Sequence, residues 1–241
     1  MEDIDLALFC GVDIPIPECQ IILHPPSLKE ISMIGEKIFL RGITILSLDK
    51  EQFNEGKVDL SNTSNFKIFM TIMQSEEGKE QKKAVKEAFS LLVPNSKLSF
   101  TPRSLLLNYN SSNVIIDESN FEFLQKVIKQ AFCLEEKQSE KFNPADKNAA
   151  RIAERMKQTR KEVARRKGDD VGSIYARYAS AISVGLHLPL NIVNAYTIYQ
   201  IRDILERYSL WMDYDIDMKS RLAGADIKGK PINWMKNIHT N

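Results

Sequence analysis

Hydrophobic residues recur at steps of three and four through the stretch Leu190 to Gly224, where Ile198, Ile201, Leu205, Tyr208 and Met212 fall on one side of a helix. Pro189 opens this stretch and Gly224 closes it, and the spacing predicts a single helix of up to about eight or nine turns. An apolar stripe of that length has to be covered. Asp215 with Lys219, and Asp217 with Arg221, stand four apart with the acid first, the order that stabilises a helix by ~0.2–0.5 kcal/mol per pair. These four belong to its solvated face. The stretch reads as a scaffold and docking surface and carries no pattern that points to catalysis.

Upstream, the period changes repeatedly. Pro15 and Pro17 alternate with Ile14 and Ile16, an extended edge-strand pattern, because proline cannot donate to a central ladder. His24-Pro25-Pro26 ends it. Ser27-Leu28-Lys29-Glu30 has the Ser-x-x-Glu form of a capping box and predicts a helix from Leu28, with Ile31, Ile34, Ile38 and Leu48 on its buried face. Asp49 to Ser64 is polar and aperiodic and reads as a loop. Two further helices follow, Asn65 to Met73 and Glu77 to Val93, the second stopped by Pro94-Asn95. Lys97 to Phe100, Ser104 to Tyr109 and Asn113 to Ile116 are short runs separated by turn residues and predict a small sheet. Ser119 to Glu122 repeats the capping-box form ahead of a helix with Phe123, Val127, Ile128 and Phe132 on its apolar side.

The fold class expected is an α+β N-terminal part, mostly helical with a small sheet, followed by an all-α C-terminal helical part. The charged run after Leu134 divides them, giving a mixed domain over 1–135, a linker over 136–143 and a helical domain over 144–241. Asn143-Pro144 is a helix start that runs to about Lys167, with Gly168 as its C-cap. Ser173 to Val184 is a further helix, and Ile232 to Ile238 a short terminal one anchored by Trp234.

Composition narrows the function classes. A 43% hydrophobic content is enough for a real core, and a net charge of +1 leaves any attraction to a polyanion to local clustering. The strongest cluster is Lys147 to Lys167, with nine Lys or Arg and two acids. It fits a solvated face, a protein partner or, third, nucleic acid. Three distant cysteines, Cys10, Cys19 and Cys133, form neither a disulfide framework nor a zinc site and fit a reducing compartment. The N-terminus is acidic and no apolar run spans a bilayer, so a soluble cytoplasmic protein is expected.

Motifs that would carry chemistry are missing. There is no G-x-G, no P-loop, no H-E-x-x-H and no G-x-S-x-G, so neither a cofactor, a metal nor an enzyme activity is expected. Asp213, Asp215 and Asp217 imitate the start of a calcium loop, but Met218 occupies the place of its turn glycine and Gly224 that of its closing glutamate. Ala181, Val184, Gly185 and Leu186 imitate a helix-turn-helix, but Asn191 and Asn194 fall at positions that should be buried.

Two stretches, PIPECQIILHPPSLKEISMIGEKIFL near the start and YTIYQIRDILERYSLWMDYDIDMKSRLAGADIKGKPINWMKNIH at the end, resemble proteins of phages and prophages of Gram-positive bacteria described as tail assembly chaperones. The resemblance rests on the Ile-Pro-x-Pro start, His24-Pro25-Pro26, the long helix ending in Arg221-Leu222-Ala223-Gly224, and Trp234-Met235-Lys236-Asn237-Ile238. It implies a non-enzymatic protein of the host cytoplasm that binds tape measure and tail tube proteins during virion assembly, with self-association as a further expectation. It names no catalytic residue. The residues expected to meet partners are Arg151, Arg155 and Arg165 on the basic helix, and Tyr208, Trp211 and Arg221 on the long one. The alternative is a nucleic-acid-binding phage protein that uses the basic helix 147–167.

Overall fold

The computed structural model describes residues 4–50, 63–75, 78–110, 112–134, 172–225, 227, 229–231, 233–236 and 238. The linker over 136–143, the basic helix expected from Asn143 to Lys167, and with them Arg151, Arg155 and Arg165, lie outside the described residues.

The chain begins with α1 (Ile4–Cys10), which was not legible as a helix, and a hairpin of β1 (Ile14–Ile16) and β2 (Ile21–Leu23). A 3-10 turn over Pro17–Cys19 separates the two strands, pairing Ile14 with Leu23 and Ile16 with Ile21. Ser27 then starts α2 (Leu28–Ile34) with a complete capping box: its hydroxyl accepts from the Glu30 amide at 3.3 Å and the Glu30 carboxylate accepts from the Ser27 amide at 2.7 Å. Gly35, at φ +92°, ends this helix and lets α3 (Glu36–Leu46) leave in a new direction. The break corrects the expected buried face. Ile38 is 37% exposed, whereas Phe39, Ile43 and Leu46 are buried.

Next come α4 (Asn65–Gln74), α5 (Gly78–Leu92), the antiparallel sheet β3 (Ser96–Phe100), β4 (Leu105–Tyr109) and β5 (Ser112–Ile116) in the order β3-β4-β5, and α6 (Phe121–Ala131). The capping box expected at Ser119 is not formed. Asn120 takes the N-cap position, and its side chain is occupied by accepting from the Asp117 amide and donating to the Ile115 carbonyl, both at 2.9 Å. Phe123 consequently faces out, while Phe121 and Leu124 join Val127 and Ile128 inside. Aromatic rings knit the layers: Phe121 lies 5.2 Å from Phe66 and 5.1 Å from Phe69, and Phe39 meets Phe132 edge-on at 5.4 Å.

The C-terminal part is helical, comprising α7 (Ile174–Leu186), α8 (Leu190–Val193) and α9 (Ile198–Leu222). The single helix expected from Leu190 to Gly224 is therefore two. A second capping box divides it, in which Thr197 accepts from the Gln200 amide at 3.3 Å and Gln200 accepts from the Thr197 amide at 2.9 Å. An N-cap residue has extended dihedrals, so the chain cannot pass through Thr197 as helix. The helix expected over Ile232 to Ile238 is not formed at 233–236, which make turns, and Trp234 is half-buried rather than core. Val193, Ile198, Tyr199 and Ile201 pack into the same buried cluster as the N-terminal helices and strands.

Candidate interaction surface

The turn between α8 and α9 docks backbone to backbone. The Leu28 amide donates to the Tyr196 carbonyl at 3.0 Å and the Lys29 amide to the Asn194 carbonyl at 2.9 Å. Asn194 and Tyr196 thus each receive one of the free N-terminal amides of α2, which have no partner within their own helix. The first turn of α9 is fixed from the other side by α1. Gln200 donates to the Phe9 carbonyl at 2.8 Å and the Tyr199 hydroxyl to Asp5 Oδ1 at 3.3 Å, with burial pushing the Tyr199 phenol well up from its ordinary range.

Beyond Asp203, by contrast, no residue of α9 is fully buried among the described residues. At 1.5 Å per residue the 25-residue helix is about 37 Å long, and Ile204 and Leu205 are the last of its residues packed against the core cluster. Its surface is not polar. Trp211 is 44%, Ile216 57% and Leu222 83% exposed, and on the neighbouring α7 and α8 Val184 is 73% exposed, with Leu190 and Ile192 also open. Trp211 and Leu222, eleven residues apart, fall on one side of α9, whereas Ile216 lies roughly 140° around the helix from Trp211; large exposed apolar residues of this kind are candidates for an interaction site.

The surface is held in shape rather than loose. Tyr208 and Trp211 stack with centroids 6.2 Å apart and planes 24° from parallel. The Tyr208 ring edge lies against Gly185 of α7, where a Cβ would come within 3.1 Å of it. Gly185, which imitates a helix-turn-helix glycine in the sequence, here admits that ring from within a helix. Arg207 donates to the Trp234 and Lys236 carbonyls at 2.8 Å each and ties the C-terminal segment to α9. Both expected helix pairs form: Lys219 to Asp215 at 2.6 Å, and Arg221 Nε to both oxygens of Asp217 at 3.1 Å.

Of the six residues expected to meet partners, the structure brings Tyr208, Trp211 and Arg221 onto one helix. Arg221 is partly shielded and engaged by Asp217, Tyr208 is half-buried against α7, and Trp211 is the most open of the three. Ile216 and Leu222 were missed. The signal was available, since both are large apolar residues interleaved with the Asp–Lys and Asp–Arg pairs of the solvated face.

Little in the described residues favours bond chemistry. No group of three or more His, Cys, Asp or Glu among them could hold a metal ion. Burial pushes the thiols of Cys19 and Cys133 up to about 11, which makes them poor nucleophiles. His24 bridges Asp13 at 2.7 Å and Glu30 at 3.3 Å, a structural clamp at the start of α2. No helix among the described residues is long and apolar enough to cross a membrane.

No curated protein and no solved structure matches the chain. Residues 178–239, roughly a quarter of the 241 and the part that carries most of α7 and all of α8 and α9, match the family model described as the YomV second domain, a family associated with phages and prophages.

Proposed function

We propose that this protein is a non-enzymatic assembly factor of a phage or prophage, a tail assembly chaperone whose C-terminal helices dock tape measure and tail tube proteins in the host cytoplasm. The observation that carries the reading is the exposed apolar surface of α9, with Trp211, Ile216 and Leu222, within the stretch that matches a phage-associated family. Aromatic and large aliphatic residues on a rigid helix are the anchors that protein interfaces use, and amphipathic helices laid in grooves are a recurrent mode of recognition. The absence of catalytic spacings from the sequence is consistent with a binding role. Co-expression with tape measure and tail tube proteins, followed by affinity capture and size-exclusion chromatography, tests this. A stable complex with either supports the reading, and failure to associate with both overturns it.

A further inference from the structure

A second surface lies on the N-terminal part, where α3 and α5 cross. Lys37, Ile38 and Arg41 of α3 face Glu80, Lys83 and Ala84 of α5 across an open groove of about 330 Å³. Its exposed apolar residue is Ile38, with Ala84 buried beneath at 3% exposure, and its rims are cationic. Arg41 meets Glu80 at 2.8 Å on the exposed surface, while Lys37 and Lys83 make no ion pair among the described residues. Three cations against one acid, in a chain whose net charge is only +1, make this groove a local positive field.

The lysines of α5 are also placed against the helix's own interest. Lys79 with Lys83, and Lys82 with Lys86, stand four apart, an arrangement of like charges that destabilises a helix. Lys79 lies in the first turn, where the helix dipole disfavours a cation. α9 obeys the opposite rules, with acid-first pairs and Lys219 and Arg221 in its last turn. Lys86 is accommodated over the Phe100 ring, 5.8 Å from its centroid, whereas Lys83 is left open beside the groove.

We propose that the α3–α5 groove binds an acidic amphipathic segment of a partner protein, whose apolar residues cover Ile38 and whose carboxylates meet Lys37, Arg41 and Lys83. The exposed apolar side chain of Ile38 between the cations favours a peptide over nucleic acid, whose phosphates would engage the cations and leave Ile38 uncovered. Glu80 holds Arg41 in the free protein, and an incoming carboxylate takes its place. The site is separate from the surface on α9, and its test does not depend on the function proposed above.

The test is fluorescence anisotropy of a labelled Leu-Glu-Glu-repeat peptide titrated with the full chain. Saturable binding is expected, weakening as salt rises. The pair Lys37→Gln and Lys83→Gln should lower affinity at least about tenfold, because hydrogen bonds to charged groups are the strong ones. Ile38→Gln should lower it several-fold, and Lys126→Gln, at an exposed lysine outside the groove, should leave it unchanged. All of these side chains are exposed, so the thermal melt should stay at the wild-type value, and the wild-type salt titration stands as a readout that needs no variant. Absence of saturable binding overturns the proposal. So does competition by oligothymidylate combined with indifference to Ile38→Gln, which would make the groove a phosphate site.

Discussion

Replacing Gly42 with alanine should destabilise the protein although alanine is the better helix former. Gly42 lies inside α3 where that helix crosses α5, and a Cβ built there comes within 2.4 Å of the Ala84 carbonyl oxygen, 2.6 Å of the Ala88 Cβ and 3.0 Å of the Ala84 carbonyl carbon. Contacts between nonbonded carbon atoms are at rest near ~3.5–4.0 Å, so the helices must part by about 1 Å. A gap of that size forfeits roughly a quarter to a half of the dispersion energy of each facing contact. The contacts at risk are those of Phe39, Ile43 and Leu46 with Val85, Ala88 and Phe89, all buried.

Overpacking of this kind costs about 1–3 kcal/mol, against a gain of about 0.5–1 kcal/mol for removing glycine from a helix interior. The net expectation is a loss of about 1–2 kcal/mol for Gly42→Ala and more for Gly42→Val. For a chain of this size that is a fall in Tm of about 2–8 °C, read by differential scanning calorimetry or by circular dichroism. Ala88→Gly in the same chain should restore only part of the loss, because the closest clash is with backbone. A Gly42→Ala protein that melts at or above the wild-type temperature would refute the reasoning.

Tyr199→Phe removes the hydroxyl that donates to Asp5 and should cost about 1 kcal/mol, whereas Tyr199→Ala empties a fully buried site and should cost about 3–5 kcal/mol; urea titration separates the two. Burial pulls the His24 pKa down, but Asp13 and Glu30 outweigh it and leave it raised above 6.5; burial likewise raises Glu30, but the bonds from Ser27 and the charge of His24 leave it below 4.5. The imidazole contribution is therefore full below its ordinary pKa and fades as pH rises through the raised value, while that of Glu30 is full above its ordinary pKa and fades as pH falls through the lowered one. Wild-type protein should accordingly lose its advantage over His24→Gln as pH climbs through the neutral range, in melts run across a pH series. Limited proteolysis should cut within 136–143, and the two fragments should stay together on size exclusion because Val193, Ile198, Tyr199 and Ile201 are buried among N-terminal side chains; fragments that separate freely would contradict that packing.

Much of the fold was legible because local rules agreed with it. Ser27-x-x-Glu30 marked a helix start that formed to the residue, Pro94-Asn95 stopped α5, and the short runs between Lys97 and Ile116, set apart by turn residues, formed three antiparallel strands. The misreadings came from competing local bonds. Asn120 claimed the place offered to Ser119, and Thr197-x-x-Gln200 hid a helix start within a longer hydrophobic period. Gly35 reversed which side of α3 faces the core, a change that a period carried across it cannot register. Of the interaction surface, Trp211 was legible as an aromatic one step off the main stripe. That α9 would be no more than partly covered beyond Asp203 was not, because coverage depends on where α1 and α7 end in space.

The central claim, that the exposed side of α9 is where a partner docks, is tested most directly by isothermal titration of the captured tail protein into wild-type protein and into Trp211→Ala. Trp211 is 44% exposed, so its loss should leave the melt nearly unchanged, and as an interface anchor it should cost about 2 kcal/mol or more of binding, a weakening of roughly thirtyfold. Unchanged affinity, or a collapse of the fold in place of a loss of binding, would contradict the account.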